Sequence, residues 1–243
     1  MPLYLKNPHS ILATLEKRPH DVIEIRLPTQ QAGDTWTTVR QKAETLGVRL
    51  IQAQPPRPEQ RDRKGKPTPG RIGGAEAVVK DHPGVELNDL FAKTSHPGLY
   101  LALDTIQDPQ NVGAIFRIAA FFGVRGILLT RDRSAPLSGT AYDVASGGVE
   151  YVPFSLQTNL SRTIDSAKEA GLWILGTSEH AETDLKSLAQ DRAWLLILGN
   201  EETGIRRLTR DKCDVLCRIP NNGPITSLNV SAAAAICIHH LSQ

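Results

Sequence analysis

Residues 100–117 read YLALDTIQDPQNVGAIFR. The first four are apolar on both faces, as a strand buried inside a sheet must be. Asp108, Pro109, Asn111 and Gly113 then form a polar turn, and a helix is expected over 114–122. Strand, turn and helix is the unit from which parallel sheets are built, because parallel strands need a crossover connection. The unit recurs. Further strands are expected over 126–130, 152–156, 172–177, 194–199 and 215–219, with helices over 138–145, 160–170 and 228–240. The C-terminal two thirds is therefore a largely parallel α/β sheet, and no internal repeat is present.

The N-terminal third is also α/β. Helices are expected over 10–17, where Ile11, Leu12 and Leu15 share a face, and over 35–46; strands are expected over 21–27 and 48–54. Residues 75–93 add a strand and a short helix that close this first domain. Between them, residues 55–70 (PPRPEQRDRKGKPTPG) carry no apolar side chain except proline. Arg57, Arg61, Arg63, Lys64, Lys66 and Arg71 stand against Glu59 and Asp62, a local net of +4 in a chain whose whole net charge is +2. Charge alone fits a solvated loop as well as an arm that contacts phosphates. The expected division is residues 1–94, a small substrate-binding domain with a basic loop at 55–74, and residues 97–243.

The three cysteines, Cys213, Cys217 and Cys237, are too few for a disulfide framework. They read as reduced, buried small hydrophobes, and a metal site with His239 and His240 is not expected. The start of the chain lacks the apolar core of a secretion signal, and no apolar run approaches a membrane span. A cytoplasmic protein without membrane contact is expected. Phosphate-loop, dinucleotide, zinc-protease and serine-hydrolase motifs are all missing.

Ligands of a parallel sheet bind beyond the carboxyl ends of its strands. Three polar, glycine-containing segments lie there. In the first, residues 104–117, Gly113 can let backbone approach a ligand, and Arg117, one turn into the helix, can face the cleft; taken alone, this segment is better read as a plain strand-to-helix turn with a surface arginine. The second, residues 195–205 (LLILGNEETGI), delivers Asn200, Glu201 and Glu202 at the end of a core strand, where unpaired burial would be costly. Gly199→Val is expected to fill space that a bound ligand needs. In the third, residues 218–231 (RIPNNGPITSLNVS), Ser227 can cap the last helix. Asn229 and Ser231 in the first turn of so apolar a helix are better explained if they meet a ligand.

Together these segments resemble the three motifs of the SpoU (TrmH-like) branch of the SPOUT methyltransferases. The matching residues are Asp108, Pro109, Asn111, Gly113, Ala114 and Arg117; then Leu198, Gly199, Asn200, Glu201, Gly204 and Ile205; then Ile219, Pro220, Gly223, Ser227, Leu228, Asn229, Val230 and Ser231. The resemblance covers roughly residues 98–243. Asn7-Pro8 and the helix after it resemble, more weakly, the substrate-binding domain of the ribosomal-RNA subgroup. Lys6 and Gly73-Gly74-Ala75 depart from that subgroup, which bears on the RNA target and not on the chemistry.

The resemblance implies a trefoil knot over about residues 195–243, a feature no sequence pattern would suggest. It implies a homodimer with its RNA site built across two subunits. It implies S-adenosylmethionine held by backbone at Gly176, Thr177, Gly199, Ile219 and Leu228, and methylation of a ribose 2′-hydroxyl in structured RNA, ribosomal guanosine first. Arg117 is the family's suggested base. A guanidinium holds its proton tightly, so the role expected is a bidentate clamp on the neighbouring phosphate, or a base only in the complete complex. Asn111, Glu201, Ser227 and Asn229 would orient Arg117 and the ribose, and Arg57, Arg61, Arg63, Lys64, Lys66 and Arg71 would hold RNA. No metal is called for, since the cofactor carries an activated methyl group. The rival expectations are a tRNA methyltransferase, a non-catalytic RNA-binding protein of the same fold, and a small-molecule α/β enzyme. Intact Arg117, Glu201 and Asn229 speak against the second, and the basic arm against the third.

Overall fold

The computed structural model describes residues 2–28, 33–53, 74–92, 98–189 and 191–243. The chain divides into two compact units, Met1–His82 and Pro83–Gln243.

The first unit comprises β1 (Leu3–Leu5), α1 (Pro8–Lys17), β2 (Val22–Leu27), α2 (Asp34–Thr45), β3 (Leu50–Gln52) and β4 (Glu76–Val79). Its sheet runs β1-β4-β2-β3, with β4 antiparallel to both neighbours and β3 parallel to β2. Asn7 caps α1 by accepting from the His9 N–H at 2.9 Å, and Pro8 follows as the first helical residue, where a missing N–H costs nothing. Leu5, Ile11, Leu15, Ile25, Val39, Ala43 and Val79 are buried. The basic arm, Arg57, Arg61, Arg63, Lys64, Lys66 and Arg71, lies outside the described residues.

The second unit holds α3 (Leu87–Phe91), β5 (Leu99–Asp104), α4 (Pro109–Phe122), β6 (Gly126–Thr130), α5 (Gly139–Ala145), α6 (Gly148–Tyr151), β7 (Phe154–Gln157), α7 (Leu160–Glu169), β8 (Trp173–Thr177), β9 (Thr183–Asp184), β10 (Trp194–Gly199), α8 (Arg207–Arg210), β11 (Val215–Arg218) and α9 (Val230–Leu241). Every pairing in its sheet, β7-β6-β5-β10-β8-β11-β9, is parallel. β5 and β10 are buried along their whole length. They run side by side until Asp104 pairs with Gly199, so both strands end at one level. β10 lies between β5 and β8, and β11 between β8 and β9. Late strands laid between earlier ones are what threading of the C-terminal segment would leave behind.

Three expectations change. The short helix α3 belongs to the second unit, because Leu90 and Phe91 pack into the cluster of Tyr100, Leu128 and Leu160. α4 starts at Pro109, not at residue 114, since Asp108 accepts from the Gln110 N–H at 2.8 Å and caps it. Asn111 and Gly113 are thus helical, and Arg117 lies more than two turns in, roughly 12 Å along the axis. Finally, Ser227 does not cap α9. Asn229 does, accepting from the N–H groups of Ser231 at 2.9 Å and Ala232 at 3.4 Å.

Candidate active site

The carboxyl ends of β5 and β10 and the first turns of α4 and α9 bring one residue from each polar segment together. Asn111 donates its amide N–H to Glu201 Oε1 at 2.8 Å. Its own Oδ1 accepts from the Asn229 amide at 3.0 Å. Asn229 Oδ1 then accepts from the Ser231 N–H and hydroxyl, at 2.9 and 2.6 Å. The direction of this chain is set at both ends. A carboxylate only accepts, and helix N–H groups only donate, so each amide between them has a single workable orientation. Residues separated by 90 and 118 positions in sequence are thereby locked into one row.

The turn that carries Glu201 is closed by paired bonds between Asn200 and Gly204, at 3.1 and 2.9 Å. Asn200 Oδ1 accepts from the N–H groups of Glu202 and Thr203, at 3.0 and 3.1 Å. Two further contacts join the turn to β5. The Asn200 amide donates to the Thr105 carbonyl at 3.0 Å. Asp104, wholly buried, accepts from Arg206 through both its backbone N–H (3.1 Å) and its Nε (2.6 Å). Neither Asp104 nor Arg206 was singled out from sequence. A carboxylate closing a core strand was the available signal, because it must find a partner.

The expected glycines act differently from their sequence reading. A Cβ on Gly199 would lie 2.3 Å from the Gly204 carbonyl carbon and 2.4 Å from the Ile205 nitrogen. Glycine is therefore required for the turn to fold back on its own strand, and Gly199→Val would collide with backbone before it met a ligand. On Gly176 a Cβ would meet Leu216 and Cys213 at 2.7 and 2.8 Å; on Gly113 it would meet the Ala141 carbonyl oxygen at 2.4 Å. Gly113 serves close packing of α4 on α5, not approach to a ligand.

Thr177 donates its hydroxyl to the Ile197 carbonyl at 3.2 Å. Ile219 is half-buried, and every residue from 220 to 229 is exposed, including Ile225 (71%) and Leu228 (52%). Across residues 220–228, the hydrogen bonds among described residues are those that the Asn221 amide donates to the carbonyls of Gly223 and Ile225, at 3.5 and 3.1 Å. An exposed stretch with apolar side chains and unengaged backbone groups suits a flat, polar-edged nucleoside. Exposure and the few hydrogen bonds across residues 219–228 leave this segment open to a ligand of that kind.

Ser227 is exposed and outside the row. Arg117 is exposed and makes no hydrogen bond or ion pair among the described residues. The three thiols are chemically quiet. Burial pushes Cys213, Cys217 and Cys237 up to about 12, so they stay protonated. Among the described residues no cluster of His, Cys, Asp and Glu could hold a metal ion.

Comparison with known proteins yields a consistent set. The model of the SpoU rRNA Methylase family matches residues 98–239. The chain is 40% identical to the 23S rRNA (guanosine-2′-O-)-methyltransferase RlmB of Nitrosomonas europaea, over 97% of this chain and 89% of that protein. It is 34% identical to the protein of the same name from Coxiella burnetii, over 97% and 93%. Its fold superposes with a TM-score of 0.80 on the SpoU methyltransferase AviRb from Streptomyces viridochromogenes in complex with AdoMet, at 21% identity over 99% of this chain and 89% of that one.

Proposed function

Since the chain belongs to the SpoU rRNA methylase family, we propose that it transfers a methyl group from S-adenosylmethionine to a ribose 2′-hydroxyl of 23S-type ribosomal RNA, at a guanosine. The observation that carries this reading is the row Glu201–Asn111–Asn229, built from three separated segments at the carboxyl ends of the central strands. The rRNA target rests on relatives matched along 97% of the chain, the N-terminal unit included.

Bound S-adenosylmethionine supplies a methyl group already activated on a sulfonium. The protein must hold acceptor oxygen and methyl donor in line and help remove the hydroxyl proton. The backbone of Gly176, Thr177, Gly199, Ile219 and Leu228 would hold the cofactor. Asn111, Glu201 and Asn229 set the floor against which the ribose is oriented, and the exposed Ser227 helps to orient the ribose. Arg117 clamps the phosphate beside that ribose through its planar fork. In a single chain the exposed Arg117 side chain makes no hydrogen bond or ion pair to the row among the described residues, and the complete site in this reading uses two copies of the chain, each lending Arg117 to the other. Six cations of the arm (Arg57, Arg61, Arg63, Lys64, Lys66 and Arg71) contact RNA phosphates. No helix of the described residues is long and apolar enough to cross a membrane. Action on ribosomal RNA supports a place in the cytoplasm.

Mapping ribose methylation across total RNA, with and without the gene, tests the assignment. One 23S guanosine should lose its 2′-O-methyl group. A lost tRNA mark with intact 23S rRNA would move the target; no lost mark anywhere would overturn the activity. The arm has its own readout. Replacing Arg61, Arg63, Lys64 and Lys66 with Ser should flatten the log–log salt dependence of RNA affinity, by roughly 0.7 per phosphate contact on a single strand. Parallel lines of equal affinity would remove the arm from the RNA site.

A further inference from the structure

Glu201 sits on an exposed turn, yet its carboxylate must stand where Asn111 can reach it. The turn's internal bonds give it a shape but not a place. We propose that Asp104 and Arg206 are positioning residues for methyl transfer: they pin the 200–205 turn to the end of β5 and thereby fix Glu201 against Asn111. This inference rests on the methyl-transfer reading above.

The geometry carries the argument. Asp104 is fully buried, and its carboxylate takes the Arg206 backbone N–H on Oδ2 and the Arg206 Nε on Oδ1. Arg206 keeps 39% of its side chain exposed, so the cation remains partly hydrated while its inner edge neutralises the buried anion. Losing Arg206 would strand the buried Asp104 charge, which makes the contact hard to leave. Asp104 pairs in register with Gly199, so the pin closes where β5 and β10 end together, one residue before Asn200. On the other flank of the turn, Asn200 donates to the carbonyl of Thr105. Thr105 holds φ at 62°, a conformation a β-branched residue takes up only when its surroundings impose it. Both anchors therefore stand on adjacent residues of one strand end, and that strand end leads directly into α4 and Asn111. Acceptor and donor of the Glu201–Asn111 bond are referred to a common base.

A brace that served stability alone would lower the melting temperature and leave the chemical step untouched in the folded molecules. A positioning pair changes the chemical step, and does so only while Glu201 has something to orient. Arg206→Lys keeps the charge and the backbone donor but cannot place an Nε, and Asp104→Asn keeps the shape but loses the charge. The full-length variants are assayed by steady-state transfer from S-adenosylmethionine to 23S rRNA, below the melting onset of each. The expected result is a kcat about tenfold lower, with KM for cofactor and RNA within about twofold of wild type. In a Glu201→Gln background, Arg206→Lys should cost less than about a further twofold. If Asp104→Asn fails to fold, Arg206→Lys carries the test alone. Full kcat in folded Arg206→Lys, a change confined to KM, or an undiminished loss in the Glu201→Gln background would each overturn the pin. A wild type that methylates no 23S rRNA would instead overturn the proposed function, so the two failures are distinguishable.

Discussion

Asn229 does two jobs through two atoms, and they can be separated. Its Oδ1 caps α9, while its Nδ2 supplies Asn111. Asn229→Asp keeps the acceptor that the helix needs and adds a negative charge at a helix N-terminus, which is favourable by about 0.3–1 kcal/mol. It also deletes the donor to Asn111 and leaves that Oδ1 facing a carboxylate. The expected outcome is a melting temperature equal to or above wild type, together with at least a roughly tenfold loss of kcat. Thermal melts and methyl transfer on the same preparation check it. A parallel fall of both would mean that Asn229 is only a cap. Arg117 makes a different case, because it has no structural partner in the described chain to lose. Arg117→Ala should abolish turnover while cofactor affinity, by calorimetry, stays within about twofold. Arg117→Lys should recover little, since a point charge cannot form the fork. Near wild-type transfer by the alanine variant would remove Arg117 from the site.

At the level of elements, the strands were legible and the edges of the helices were not. The runs 126–130 and 194–199 are strands with the expected bounds, because burial on both faces leaves no other use for such residues. α4 was read as starting late because Asn111 and Gly113 are poor helix formers. The start was nevertheless written in the sequence, in Asp108 followed by Pro109. By local rules Ser227 can cap α9 as well as asparagine can. What selects Asn229 is its bond to Asn111, 118 residues away, and no local rule contains that. β9 has two residues and α8 four, too short for a periodic signal. The turn after β10 shows the same limit. Its glycine was visible, but the reason for it is backbone at 2.3 Å, and that changes the expected outcome of substitution. Gly199→Ala should lower the melting temperature as well as cofactor affinity, because the atoms it meets are main chain and cannot step aside. A variant with wild-type stability and weakened cofactor binding would instead restore the ligand-space reading.

For the whole molecule the open term is the second copy. α4 and α9 pack together, and each still shows apolar side chains to solvent: Phe121 is 82% exposed and Ile236 41%. Phe121 stands four residues after Arg117, so the two are neighbours on the exposed side of α4. An exposed aromatic beside an arginine with no partner in its own chain is the arrangement expected where another subunit closes the site. A second copy on this face would bury Phe121 and carry Arg117 to the partner's site in one step. The wild type should therefore sediment as a dimer at assay concentration. Phe121→Glu combined with Ile236→Glu should yield monomers, because two like charges would have to be buried against each copy. The monomer should stay folded, since both side chains are already exposed in the single chain, and it should bind cofactor but transfer no methyl group. Mixing an Arg117→Ala chain with an Asn111→Ala chain sharpens the test. Each homodimer lacks a needed residue at both sites, whereas the mixed dimer has one site with Asn111 from one chain and Arg117 from the other. Exchange of subunits should restore up to about half the wild-type activity per mixed dimer. A sedimenting monomer with full activity, or mixed dimers as inactive as their parents, would show that each chain builds its site alone.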